Sequence, residues 1–258
     1  MKRKVYEQLL EWKSREHHKP LILYGVRQCG KTYILKEFGR QEFDSLAYVS
    51  CDRNVNLQAI YSGDFDVARI IQGLSALTGV DIISGKTLIF LDEVQAFPQA
   101  LEALKYFCED APEYHIVVAG SLLGVALHAG VSFPVGKVQT LRLFPMDFEE
   151  FLMAMGEEQL LKLMHSHDYE LMNAFHEKLK DLLRQYYYVG GMPEVVKAFV
   201  ENKLLNQVRS LQNEILSNYA SDFSKHAPSQ EVPRIDMVWQ SILGQLSKEN
   251  KKFVYGVL

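Results

Sequence analysis

The chain has 258 residues and a formal net charge of -4 at pH 7, with 48% hydrophobic and 23% charged residues. This composition is ordinary for a globular protein and excludes a globally disordered chain. It gives no bulk positive charge for nucleic acid or an anionic membrane, although a local basic patch stays open. No apolar run is long enough for a bilayer, and glutamates follow the basic residues 1–4 where a signal peptide is apolar. We therefore expect a cytoplasmic protein without a membrane segment.

The three cysteines, Cys29, Cys51 and Cys108, fit neither a metal-ligand spacing nor a disulfide framework. We expect them to be reduced thiols. Cys29 lies beside Lys31 and the start of a predicted helix, and both features lower a thiol pKa. We therefore hypothesise that oxidation of Cys29 blocks ligand binding at residues 25–32, the segment in which it lies.

Short apolar segments alternate with helical patterns through the first 145 residues. The apolar spacing predicts helices over residues 5–12, 31–38, 67–77 and 101–108. Between them, fully apolar runs predict strands over residues 21–24, 46–51, 87–91, 115–119 and 138–144. Because the strands are apolar along their whole length, they fit a parallel sheet with helices on both faces. The sequence thus predicts an α/β core over residues 1–145.

The pattern changes after Pro145, where strands give way to helical spacing. Asp168 is placed to cap a helix that ends at the glycine-rich residues 190–193, and a further helix is predicted from 194 to about 219. We expect residues 146–227 to form a helical lid and linker, and residues 228–258 to begin a further domain. Residues 251–258, two lysines followed by a mainly apolar run, look like a strand that is just starting, with nothing after it to pair with. Either this tail docks on the body of the chain or a C-terminal domain is truncated, and an exposed apolar strand edge favours truncation.

Residues 25–32 match the phosphate-loop pattern G-x-x-x-x-G-K-[ST] at every specified position, between a predicted strand and a predicted helix. Backbone N–H groups from Gly25 to Gly30 can surround phosphate oxygens, and the helix N-terminus favours the same anion. Lys31 adds a positive charge for the β- and γ-phosphates, and the Thr32 hydroxyl is suited to Mg²⁺. The predicted nucleotide-binding residues are Gly25, Val26, Arg27, Gln28, Cys29, Gly30, Lys31, Thr32 and Tyr33.

Two carboxylates, Asp92 and Glu93, follow the predicted strand 87–91. Because the carboxyl ends of parallel strands open on one edge, Asp92 can reach a Mg²⁺ ion held by Thr32. Glu93 is then placed to orient or deprotonate the water that attacks the γ-phosphate. Such an acid favours hydrolysis over transfer to another acceptor. The alternative role for both carboxylates is to cap the next helix.

Three further polar residues are candidates for the site. Ser121 follows the strand 115–119, and if that strand neighbours 21–24, the hydroxyl lies near the γ-phosphate; capping of the next helix is an equal alternative. Lys137 is a candidate for a charge that completes the site of a neighbouring subunit. Arg142 is interpreted as part of the solvent-facing side of its strand. For Arg27 and Gln28 we expect structural roles rather than catalysis.

Five segments occur in order along the chain, with the sequences GVRQCGKT (25–32), FLDEVQ (90–95), AGS (119–121), LFPMDFEEF (143–151) and GGMPE (190–194). Together they resemble the prokaryotic AAA-domain ATPases that carry a C-terminal domain of unknown function. The resemblance covers essentially the whole chain. Its more specific parts are the Arg-Gln pair in the phosphate loop and the Gly-Gly-Met-Pro sequence.

The resemblance implies an AAA-like core with a helical lid, then a winged-helix-like segment and a nuclease-like C-terminal fold. It implies that Lys31 and Thr32 bind nucleotide and Mg²⁺. By the same resemblance, Asp92 and Glu93 are the metal and water acids, and Ser121 is a sensor of the γ-phosphate. The sequence departs from the pattern at residue 137, where many members have arginine, and it stops about where the winged-helix-like segment continues.

These observations predict an ATP-binding protein that hydrolyses ATP with Mg²⁺ and uses the nucleotide state to move the helical lid. The choice of ATP rests on the resemblance. One alternative is a nucleotide-dependent protein- or DNA-binding module with little hydrolysis. A small-molecule kinase ranks last because such enzymes close an arginine-rich lid over the phosphates, whereas the region after residue 145 offers only Arg184, Arg209 and Arg234. A homo-oligomer and an unidentified protein partner are both left open.

Overall fold

The computed structural model of the protein describes residues 1–121 and 134–247, without the side chains of residues 223–226. The chain divides into two compact units, Met1–Lys197 and Ala198–Leu258. The predicted tail strand at 251–258, and any helix that Ser121 would cap, lie outside the described residues. The predicted domain boundaries near residues 145 and 228 stay predictions.

In the described part of the first unit, five strands form one sheet in the order β2-β3-β4-β1-β5. All four neighbouring pairs run parallel. The strands are β1 Leu21–Tyr24, β2 Ser45–Ser50, β3 Thr87–Asp92, β4 His115–Gly120 and β5 Gln139–Arg142. Every residue of β3 and β4 is buried, as expected for inner strands covered on both faces. The predicted parallel α/β sheet is confirmed.

Helices cover both faces of this sheet. They are α1 Val5–Ser14, α2 Lys31–Glu42, α3 Asn56–Ile60, α4 Val67–Thr78 and α5 Gln99–Asp110, with a 3-10 turn at Val94–Ala96. Successive strand side chains point to opposite faces. Leu88 and Phe90 therefore pack with α1 and α2, whereas Ile89 and Leu91 pack with α4 and α5.

The helical region after β5 contains more breaks than its spacing predicts. Its helices are α6 Phe148–Ala154, α7 Glu158–Ser166, α8 Tyr169–Ala174, α9 His176–Val189 and α10 Pro193–Asn202. Asp168 caps α8 by accepting a hydrogen bond from the Leu171 N–H at 2.9 Å, but this helix ends before Phe175. Leu152, Leu160 and Leu182 form a small core among α6, α7 and α9.

The described part of the second unit is helical, with α11 Leu205–His226 followed by α12 Val232–Leu246. The helix predicted from residue 194 to about 219 is divided between α10 and α11, and the left-handed Lys203 lies at the break (φ 55°). The rings of Tyr219 and Trp239 stack with centroids 6.1 Å apart. Across residues 1–121 and 134–247, no helix has the length and apolar character needed to cross a membrane.

A pair of buried histidines joins α1 to the sheet. His18 and His115 stack with ring centroids 3.8 Å apart, and the edge of Trp12 contacts both rings. Burial lowers the pKa of both imidazoles, and His18 adds electrostatic repulsion at His115. The pKa of His115 falls from its usual 6.5 to about 4. A buried neutral pair of this kind favours folding only while it is unprotonated.

We predict that the fold loses stability in mild acid through His115. Between pH 6.5 and 4, His115 is protonated in the unfolded chain but stays neutral in the folded chain. The free energy of unfolding therefore falls as pH falls through this range. At pH 5 the loss amounts to about 2 kcal/mol. Urea denaturation of wild type and His115→Phe at pH 7.5 and pH 5 measures this term. The control is His17→Phe, at an exposed residue next to His18 in sequence, which should retain the wild-type pH dependence of stability. If His115→Phe also retains the wild-type pH dependence, the prediction is contradicted.

Candidate functional site

The sheet order places the phosphate loop, residues 25–32, between two neighbouring strand ends. In register, Tyr24 at the end of β1 pairs with Gly120 on β4 and with Arg142 on β5. The loop therefore starts beside Ser121 on one side and beside Leu143 on the other. Because all strands run parallel, their carboxyl ends form the common edge at which ligands bind in such sheets.

The two glycines of the loop are required for different reasons. A Cβ atom added at Gly25 would lie 2.1 Å from the carbonyl oxygen of Leu143, so the backbone directly after β5 leaves no room for a side chain. Gly30 has a left-handed backbone with φ of 95° and directly precedes α2. That conformation is easily reached by glycine alone.

Lys31 closes the loop from the inside. Its side chain is 7% exposed, and the ammonium donates to the carbonyl oxygens of Gly25 at 2.9 Å and Val26 at 2.8 Å. A carbonyl oxygen carries only a partial charge, whereas a phosphate oxygen forms the stronger charge-assisted hydrogen bond. The phosphate loop therefore contains a buried cation, the Lys31 ammonium, that can bind an anion.

Asp92, at the end of β3, connects the strand edge to the loop. Its Oδ2 accepts hydrogen bonds from the Thr32 hydroxyl at 2.8 Å and the Tyr48 hydroxyl at 3.3 Å. Its Oδ1 accepts from the Glu93 N–H at 3.0 Å. The predicted proximity of Thr32 and Asp92 is thus observed. A hydroxyl and a carboxylate side by side are hard oxygen donors of the kind that Mg²⁺ binds, so these two residues fit the predicted ion.

Tyr48 is a member of this group that the sequence interpretation missed. Burial, together with the nearby charge of Asp92, raises the pKa of its hydroxyl to about 12. The ammonium of Lys36 lies 3.5 Å from the centroid of the Tyr48 ring. The tyrosine therefore stays protonated at neutral pH and remains a donor to Asp92. Strand register could have suggested it, since Tyr48 is two residues from the end of β2, beside β3.

Glu93 has a backbone conformation that is uncommon for any residue other than glycine. Its φ of 52° lies in the left-handed region, and such strain concentrates at functional sites. The side-chain amide of Gln95 donates a hydrogen bond to the Glu93 carboxylate. Glu93 is therefore held in one orientation next to Asp92, which suits an acid that must act at a fixed place.

The other predicted loop residues are distributed around the site. The guanidinium of Arg27 donates to the Ser121 hydroxyl at 3.4 Å, so Ser121 lies beside the loop, as expected if β4 neighbours β1. Val26, Gln28 and Tyr33 are exposed. The sensor role of Ser121 stays a prediction.

Lys137 is not brought to the phosphate loop of its own chain. It precedes β5, on the side of the sheet where Gln139 bonds Pro20 at the start of β1, whereas the loop follows the opposite ends of these strands. Its ammonium lies 2.9 Å from Glu109, and this hydrogen bond raises the pKa of Lys137. A role in the pocket of a neighbouring subunit stays a prediction.

The predicted exposure of Arg142 is confirmed, whereas the predicted low pKa of Cys29 is wrong. Arg142 is exposed, with its guanidinium 4.6 Å from the centroid of the Phe144 ring, as the solvent-facing interpretation predicts. Cys29 is fully buried, and burial raises the pKa of its thiol although Lys31 and Arg3 act in the opposite direction. The expected low thiol pKa was therefore wrong, because desolvation outweighs the nearby cations.

The segment after β5 packs against the glycine-rich residues 190–193 beside the loop. The Met146 N–H donates to the Gly191 carbonyl at 2.6 Å, and a Cβ atom added at Gly191 would lie 2.1 Å from the Met146 oxygen. The Tyr186 hydroxyl also donates to the Met146 oxygen, at 2.9 Å. The glycine at 191 is therefore required by this close backbone contact, which its sequence alone did not reveal.

Comparison with known proteins agrees with this geometry. Residues 17–152 match the AAA domain family, which is more than half of the chain. The chain belongs to the AAA domain family. Residues 180–258 match a domain of unknown function, DUF8612, so the expected combination of an AAA domain with a C-terminal domain of unknown function is confirmed. No curated protein matches the chain.

Three solved structures are similar to this chain at low sequence identity. A Walker-type ATPase of Pyrococcus abyssi is 15% identical with a TM-score of 0.53, over 95% of this chain and 79% of that one. Drosophila ORC bound to DNA is 13% identical with a TM-score of 0.45, over 97% and 82% of the two chains. The ORC2 protein of Aeropyrum pernix, in ADPNP–ADP complexes, is 16% identical with a TM-score of 0.37, over 60% and 48%. The fold is that of a P-loop NTPase, and the AAA domain here is of the ATP-binding type.

We predict that Gly25→Ala weakens ATP binding. The added methyl group collides with the Leu143 carbonyl and must displace the start of the loop. We expect the dissociation constant for a fluorescent ATP analogue to rise at least about 10-fold. Gly244→Ala, at a helical glycine with open space around it, is the matched control and should bind as wild type does. Equal affinities of wild type and Gly25→Ala would contradict the prediction.

We also predict that the thiols differ in reactivity according to burial. Cys108 is half-buried, whereas Cys29 and Cys51 are buried, and burial raises the pKa of Cys51 to about 12. Alkylation of the native protein, followed by mass spectrometry, should therefore label Cys108 first. Faster labelling of Cys29 would restore the hypothesis of an oxidisable thiol in the loop.

Proposed function

We propose that the protein hydrolyses ATP with Mg²⁺ and changes the position of its helical lid with the nucleotide state. The observation that carries this proposal is the convergence of Thr32, Asp92 and Glu93 beside the phosphate loop. Thr32 and Asp92 are in direct hydrogen-bond contact, and Glu93 is fixed next to them by Gln95. A pocket that only bound nucleotide would not need a second, separately oriented acid.

Each residue has a role that follows from its position. Lys31 exchanges its carbonyl contacts for oxygens of the β- and γ-phosphates, and Thr32 and Asp92 hold the metal ion. When bound, Mg²⁺ neutralises charge that develops on the phosphate oxygens. Glu93 orients the attacking water and accepts its proton. Ser121, which contacts Arg27 next to the loop, senses whether the γ-phosphate is present.

The lid part of the proposal concerns the region that begins with α6. The close contact of Met146 with Gly191 fixes the start of the lid region to the turn between α9 and α10. The phosphate loop adjoins the same segment, because Gly25 packs against the Leu143 carbonyl. Nucleotide binding that moves the loop therefore also moves the start of the lid. A neighbouring copy would supply Lys137 to this pocket in an oligomer.

A nucleotide-dependent binding module with little hydrolysis is the second candidate. The observation that favours it is the ion pair of Lys137 with Glu109. Lys137 is the candidate for completing the site of a neighbouring subunit, and in this structure its charge is paired within its own chain. Such a module would bind ATP and recruit a protein or nucleic-acid partner through its helical regions.

Two substitutions separate these functions. We expect Glu93→Gln to lower phosphate release at least about 100-fold while ATP affinity is kept, because only the water-directed acid is lost. Lys31→Ala should lose both affinity and turnover, because the loop loses its cation. The measurements are phosphate release with Mg²⁺ and titration with a fluorescent ATP analogue. Glu113→Gln, at an exposed glutamate, serves as the control.

The outcomes discriminate clearly. Equal, negligible turnover in wild type and Glu93→Gln, with ATP affinity intact, supports the binding module. Transfer of phosphate to an added acceptor instead of its release would support the kinase. Failure of the folded wild type to bind ATP contradicts both nucleotide-dependent candidates.

A further inference from the structure

Arg3 is a charged residue in the interior of the first unit. It precedes α1, and its side chain is only 6% exposed. Burying a guanidinium is unfavourable unless acceptors compensate for the lost water. Arg3 has two hydrogen bonds and one ion pair: Nη1 donates to the Cys29 oxygen at 3.0 Å, Nη2 donates to the Phe144 oxygen at 2.6 Å, and Nε lies 3.1 Å from a Glu150 carboxylate oxygen without hydrogen-bond geometry.

These three partners belong to three different parts of the fold. Cys29 lies in the phosphate loop, Phe144 follows β5, and Glu150 is in the first turn of α6. The planar guanidinium presents its donors in a fixed fork and can hold several acceptors at once, which the ammonium of a lysine does less well. One side chain therefore connects the loop, the sheet edge and the start of the lid.

Glu150 is itself firmly held. It forms a capping box with Asp147 at the start of α6, and it accepts a hydrogen bond from the Lys4 N–H at 2.7 Å. Its side chain is 7% exposed. The carboxylate next to Arg3 is thus part of the helix terminus, so a displacement of Arg3 is transmitted to α6.

The contact with Cys29 bears directly on the phosphate-binding amides. In a planar trans peptide, the carbonyl of one residue and the N–H of the next point in opposite directions. By holding the Cys29 oxygen, Arg3 also fixes the direction of the Gly30 N–H. That amide is one of the donors that a phosphate loop offers to its ligand.

We propose that Arg3 is a positioning residue for the phosphate loop and connects the loop to the lid through Glu150. Arg3 acts on the nucleotide through Cys29 and does not contact it. This inference rests on the proposed function for its effect on ATP, but the orientation of the loop by Arg3 is independent of hydrolysis.

The decisive comparison separates positioning from mere stability. Arg3→Met leaves Glu150 buried without its charged partner, so we expect a lower melting temperature. The double variant Arg3→Met with Glu150→Gln removes both charges and should regain most of that loss. The Cys29 oxygen still lacks the guanidinium of Arg3 in the double variant. We therefore expect its ATP dissociation constant to stay raised by about 10-fold.

Hydrogen exchange without nucleotide gives a second readout. Peptides that cover residues 24–32 should exchange faster in both Arg3 variants than in wild type, because the loop is no longer held. Lys2→Met is the matched control, since Lys2 is an exposed cation next to Arg3 in sequence and should change neither readout. If both Arg3→Met variants fail to fold, Arg3→Lys takes the same measurements, because it keeps a charge beside Glu150.

The outcomes distinguish this inference from the proposed function. Recovery of melting temperature, ATP affinity and slow exchange together in the double variant makes Arg3 a purely structural residue and overturns the inference. Faster loop exchange in the Arg3 variants, with no ATP binding even by wild type, overturns the proposed function and leaves the positioning role standing.

Discussion

The hydrogen bond from Thr32 to Asp92 joins residues 60 positions apart, and the site depends on it. It forms because β1 and β3 run in the same direction and end at the same edge, with β4 between them. An antiparallel β3 would carry Asp92 to the far side of the sheet. Parallel pairing therefore does more than build the core, since it collects the loop, the acids and Ser121 at one edge.

This edge contains several charged groups that are removed from water. Lys31, Asp92 and Arg3 are each less than one tenth exposed, and each is compensated by carbonyl, hydroxyl or carboxylate partners. Removing one partner of such a group is costly, whereas exchanging one partner for another is not. A nucleotide can therefore bind when its phosphate oxygens replace the carbonyl oxygens as hydrogen-bond partners of Lys31. The Lys31 ammonium does not have to be buried anew.

Close backbone contacts explain the glycines better than flexibility does. Gly25 lies under the Leu143 carbonyl and Gly191 lies against Met146, and in both places an added Cβ atom would approach an oxygen to 2.1 Å. These contacts fix the segment between Leu143 and Met146 on two sides. Arg3 adds a third attachment to the same segment through Phe144. The start of the predicted lid region is thus connected to the phosphate loop by packing as well as by charge.

Local sequence was sufficient to predict the alternation of strands and helices, the phosphate loop and the paired acids after β3. These features are local, because the apolar spacing and the G-x-x-x-x-G-K-[ST] pattern depend on neighbouring residues. Only the tertiary structure placed Tyr48 on Asp92, Gln95 on Glu93 and Arg3 on Cys29. It also reversed the expected low pKa of Cys29, since burial depends on what the rest of the chain packs against it. Such contacts join residues that only folding brings together, so their proximity cannot be predicted from spacing along the chain.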